Sequence, residues 1–156
     1  MKDYTSKDFE DIAVYGRVAY TAACLEYYYL NNQYESFLVE KYIEHLWYYV
    51  KYDTLGPWDY IAENMINDIL ISEPDIPNHF QFMMDISFKI ATRDWYGQHD
   101  NEASLKLIDS LIGQYSELNL NLPNVEVFRV FKVTDRHGWG EPLNPSDIRR
   151  AVLQES

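Results

Sequence analysis

The sequence predicts an all-α fold: a single-domain bundle of about five helices, with an irregular C-terminal segment packed over it. Apolar residues recur at spacings of three and four through residues 1–120. Asn, Gly and Pro clusters separate these runs. The remaining stretch, 121–156, lacks a long helical period and contains two Pro-bearing turns.

The first predicted helix begins near Thr5, where Thr5 and Asp8 fit a capping box. Phe9, Ile12, Gly16, Ala19, Ala23, Tyr27 and Leu30 form one face, and Val14, Val18, Ala22 and Leu25 a second. Two apolar faces place this helix at the centre of the bundle. Its small residues Gly16, Ala19, Ala22 and Ala23 allow a neighbour to approach closely. Helix two is expected over Tyr34–Tyr52, with Leu38, Tyr42, His45, Leu46 and Tyr49 on one face.

Gly56-Pro57 punctuates the chain, and helix three runs from about Pro57 to Ile71. Two prolines make SEPDIP (72–77) a loop. Helix four covers about Asn78–Tyr96; helix five covers about Glu102–Leu118, capped by Asp100 or Asn101. The segment VEVFRVFKVT (125–134) fits either a strand or a helical turn. One strand alone is unstable, so irregular chain is the expectation there. HGWGEP (137–142) reads as a turn displaying Trp139, and a short helix over Asp147–Leu153 closes the chain.

The chain has 156 residues, 47% hydrophobic and 24% charged, a balance that permits a real core and excludes intrinsic disorder. One cysteine, Cys24, precludes an internal disulfide and reads as a buried small hydrophobe. An acidic N-terminus and the lack of any apolar run of membrane-spanning length point to a cytoplasmic protein.

The charge balance carries the first functional clue. Thirteen Lys and Arg against 25 Asp and Glu give a net charge of -12 at pH 7. That sign opposes phosphate neutralisation and attraction to anionic lipid, so neither nucleic acid nor membrane is an expected partner. It favours capture of a basic protein.

Motifs for chemistry are missing from the sequence. The six glycines form neither a dinucleotide-binding nor a phosphate-binding loop, and no serine sits in a nucleophile elbow. His45, His79, His99 and His137 make no paired zinc or di-iron spacing. No cofactor, no metal and no catalytic residue are therefore expected.

Aromatic residues make up 16% of the chain, and 14 are tyrosines. Tyr27-Tyr28-Tyr29 and Trp47-Tyr48-Tyr49 each span about 200° of helical arc, wider than one buried stripe. Tyr28 and Tyr48 fall outside the apolar faces of their helices and are the expected exposed rings. The acids Asp53, Asp59, Glu63, Asp68, Glu73 and Asp75 lie in one window that contains no Lys or Arg. The candidate partner-binding set is thus Tyr28, Tyr48, Asp59, Glu63, Asp68, Glu73, Asp75 and Trp139.

The stretch Gly16-Arg17-Val18-Ala19-Tyr20-Thr21-Ala22-Ala23-Cys24-Leu25-Glu26 resembles the opening helix of immunity proteins from bacterial polymorphic and contact-dependent toxin systems. The ending His137-Gly138-Trp139-Gly140-Glu141-Pro142, followed by Asp147-Ile148, is similar to C-terminal turns of the same group. The resemblance implies a non-enzymatic, cytoplasmic inhibitor of one cognate and basic toxin protein. Within the matching stretch, Arg17 is expected to pair with Glu26 or another acid. Two other readings remain open: a small helical ligand-binding protein or enzyme with an unrecognised pocket, and a self-associating subunit such as a homodimer.

Overall fold

A computed structural model describes residues 4–32, 34–51, 56–96 and 102–154, apart from the side chains of 56, 94–96, 102 and 137. It is a single all-α domain. Among the described residues, six α-helices follow in chain order: α1 (Val14–Asn31), α2 (Phe37–Tyr48), α3 (Gly56–Ser72), α4 (Asn78–Tyr96), α5 (Glu102–Glu117) and α6 (Pro145–Gln154). Short 3-10 turns cover Ser6–Phe9, Tyr49–Lys51, Val125–Val130 and Arg136–Gly138.

Helix α1 is the axis of the bundle, as its two apolar faces predict. Every residue from Val14 to Glu26 is buried. It packs on α2, α4 and α5, and on the turns at 49–51 and 125–130. Close approach depends on small residues: a Cβ added to Gly16 would lie 2.5 Å from Ile12 Cγ2 and 3.0 Å from Phe131 Cβ.

The expected long first helix is in fact two elements. Thr5 and Asp8 do form their reciprocal capping box, but around the 3-10 turn Ser6–Phe9. The chain then leaves the helical path, because Ile12 makes an isolated antiparallel bridge with Lys132 and the Ala13 N–H donates to the Phe131 carbonyl at 2.8 Å. Ala13 offers no side-chain cap. The Tyr15 N–H instead donates to the Trp139 carbonyl at 3.0 Å, so the C-terminal segment satisfies a donor that the start of a helix leaves open.

Helix α2 starts later than predicted because Ser36 caps it, its hydroxyl accepting from the Val39 N–H. It ends by tightening into the 3-10 turn at Tyr49. Tyr52, at the predicted end, and the Asp100 and Asn101 caps lie outside the described residues. Helix α3 rests on α2 and α4 and buries Trp58, Ala62 and Ile69.

The segment 125–134 winds into a 3-10 turn at Val125–Val130, and its bridge at Lys132 is the only β-type pairing among the described residues. Phe128 and Phe131 are buried from this segment, the former edge-to-face with Tyr20 at 5.1 Å between ring centroids. Helix α6 is longer than predicted and packs on α2. Asn144 precedes it, its side-chain oxygen accepting from the Ser146 N–H.

Arg17 does not pair with Glu26. It is buried with Nε donating to the Ile12 carbonyl and Nη1 to Ser104 Oγ, both at 2.8 Å. Glu26 is held by other groups: Trp47 Nε1 and Arg149 Nε each donate to it at 3.0 Å, and Arg149 Nη2 makes a further close contact. This carboxylate joins α1, α2 and α6, and its hydrogen bonds raise the Arg149 pKa further.

Candidate protein-binding face on the third helix

Each residue picked from the sequence has a definite place. Tyr28 is not an exposed ring. It is 6% exposed, its ring set edge-to-face with centroids 4.6 Å from Phe80 and 6.4 Å from His79. The residues covering it come from α4. Burial pushes the Tyr28 hydroxyl pKa up.

Tyr48 is exposed, with the Lys51 ammonium 6.0 Å from its ring centroid. Trp139 is half-buried and faces inward, its ring 6.4 Å from Tyr15 and its carbonyl on the Tyr15 N–H. The glycines on either side take φ of 93° and 91°, a region where side chains are strained. The turn is therefore real, but it folds Trp139 onto the start of α1.

Glu73 also has a structural role. Its two carboxylate oxygens accept from Tyr34 Oη and Ser36 Oγ, each at 2.5 Å. These bonds fasten the α1–α2 connection to the end of α3. Burial, with the Glu73 hydrogen bond second, pushes the Tyr34 pKa up to about 12. Asp75 is exposed in the loop after α3, and Asp59 is half-buried in the first turn. Asp53 lies outside the described residues.

Glu63 and Asp68 remain as exposed acids on one helix, and the structure adds neighbours that the sequence did not single out. Tyr60 is 69% exposed and Ile71 79%, while Ile61 and Leu70 are also large and exposed. At about 100° per residue, Tyr60, Asn64, Asn67 and Ile71 fall within about 60° of one another. They form the centre of the outer face, opposite Trp58, Ala62 and Ile69 in the core. Glu63 and Leu70 flank the stripe on one edge, and Asp68 and Ile61 on the other.

Single exposed hydrophobics are ordinary, but several on one face mark a contact surface. The charge context separates this face from other exposed rings. On α2, Phe37 carries the Lys41 ammonium 4.7 Å above its ring, much as Tyr48 carries Lys51. Between Tyr52 and Asn78 the sequence has no Lys, Arg or His. The outer face of α3 thus combines apolar area with carboxylates on a helix that carries no basic residue of its own.

No family model, curated protein or solved structure matches this chain. Among the described residues, no group of three His, Cys, Asp or Glu side chains could hold a metal ion. No helix among them is long and apolar enough to cross a membrane. Cys24 is fully buried, and burial drives its thiol pKa well above the ordinary value. A buried, protonated thiol is a poor nucleophile.

The sequence signal that could have found Tyr60 and Ile71 was available. Both lie opposite the set Trp58, Ala62, Met65 and Ile69 when α3 is wound at 3.6 residues per turn.

Proposed function

We propose that this chain is a cytoplasmic binding protein that neutralises a basic partner protein through the outer face of α3, in the manner of the immunity proteins its first helix resembles. The observation that carries the reading is the exposure of Tyr60 and Ile71 on a helix bearing Glu63 and Asp68 and devoid of basic residues. Apolar anchors supply affinity once water is excluded from them. Carboxylates around them draw in a cationic surface and repel an anionic one. A toxin domain with a basic substrate cleft has the complementary chemistry, and occupying that cleft would block it.

The test is co-expression with the protein encoded immediately beside this chain. The expected result is a complex that co-purifies at low salt and relieves any growth arrest the neighbour causes. No association at low salt would remove the proposal.

A further inference from the structure

We infer that the outer face of α3 is a seam for one helix of the partner, amphipathic and bearing Lys or Arg on both flanks. The inference rests on the binding function proposed above and specifies what is bound. Its basis is spacing. Tyr60, Asn64, Asn67 and Ile71 stand at i, i+4, i+7 and i+11, the pattern with which one helix meets another. They run along about 16 Å of α3, or three turns.

The charges select the occupant. Glu63 and Asp68 lie on opposite edges of the stripe, so a complementary helix carries cations on both sides of its own apolar stripe. A second copy of this chain docked through the same face would set these acids against themselves. Asn64 and Asn67, both exposed, occupy the middle of the seam between the apolar ends. Covering them costs free energy unless the partner hydrogen-bonds them, so they fix the register of a partner with polar groups at its centre.

The probe is a synthetic helical peptide of about 18 residues. It carries Leu at both ends of the stripe, Asn at its two central positions and Lys on both flanks. Titrated into the isotope-labelled full chain at low salt, it should shift the backbone amide resonances of residues 60–71. The same peptide with Glu in place of Lys should not bind. Tyr60→Ala and Ile71→Ala should each weaken binding about tenfold. Both side chains are exposed, so thermal melts should show both variants folded.

Shifts centred elsewhere, equal binding of the Glu peptide, or unchanged affinity in both variants would overturn the inference. If the neighbouring protein forms its complex and the peptide does not bind, the helical seam is wrong and the binding function stands. If the peptide binds at α3 and the neighbour does not, the seam stands and the toxin-neutralising reading falls.

Discussion

His45 and Trp58 bond each other's backbone carbonyls. His45 Nε2 donates to the Trp58 carbonyl at 2.9 Å, and Trp58 Nε1 donates to the His45 carbonyl at 2.8 Å. The two rings stack at 4.8 Å and 6°. This reciprocal pair locks the start of α3 to the end of α2, where the Tyr49 N–H has turned to the Leu46 carbonyl. It fixes the inner face of the helix whose outer face is the proposed contact surface. Trp58→Phe keeps most of the ring's bulk but strips the donor from a buried carbonyl, so it should cost about 1–3 kcal/mol in urea unfolding. A variant as stable as the parent would show that the indole bond carries no weight.

The same pair gives a pH dependence with a definite sign. Burial holds the His45 pKa below its ordinary value near 6.5, against a smaller upward pull from the Trp58 carbonyl. The unfolded chain therefore takes up this proton at higher pH than the folded chain does. Stability from His45 is full above about pH 6.5 and is lost as pH falls below it. The urea midpoint should drop between pH 7.5 and 5.5, and His45→Gln should flatten that drop. An unaltered slope in the variant would assign the effect to other groups.

Glu26 and Arg149 test how the C-terminal helix is held. Removing the guanidinium leaves a buried carboxylate with only the Trp47 indole as a partner among the bonds described above. Arg149→Ala should therefore cost about 3 kcal/mol, whereas Glu26→Gln, which also removes the charge, should cost less. Thermal melts of the two variants and the double variant measure the coupling. Equal small losses in all three would place the pair among weak surface contacts.

Gly16 sits inside a helix, where alanine ordinarily stabilises by about 1 kcal/mol. Here the added methyl meets Ile12 and Phe131, both fully buried, at 2.5 and 3.0 Å. Overpacking of this kind costs about 1–3 kcal/mol, so Gly16→Ala should destabilise the fold. A rise in melting temperature would show that this contact can relax.

These contacts also explain what the sequence could and could not reveal. Helix α4 was legible from end to end because it is amphipathic and begins after a proline-marked loop. The break between Phe9 and Val14 was not, since Ile12 keeps the helical spacing. The cause of the break, pairing with Phe131 and Lys132, lies far along the chain. Tyr28 was misassigned because Phe80 and His79 of α4 cover that side of α1, while the exposed side at this end of the helix falls at Leu30. Glu63 and Asp68 were legible as acids, but their separation from Glu73 required seeing Tyr34 and Ser36 fold onto Glu73.

Those assignments separate in stability. Glu73→Ala strands two hydroxyls and should destabilise by about 1–2 kcal/mol, while lowering the Tyr34 titration midpoint from about 12. Glu63→Lys relieves repulsion with Asp59 one turn away, and Asp68→Lys places a cation toward the negative end of α3. Both should leave the melting temperature unchanged or slightly higher. Losses at Glu63 or Asp68 that match Glu73 would mean these acids support the fold.

The central claim is that the outer face of α3 captures a cationic partner. It is tested most directly by association kinetics with the neighbouring gene's protein, comparing the parent with a Tyr60→Ala, Glu63→Lys, Asp68→Lys variant at about 50 and 300 mM salt. The parent should associate quickly, slow as salt rises, and exceed the variant's on-rate at low salt by about tenfold or more. Equal on-rates for the two proteins, with the same response to salt, would contradict the claim.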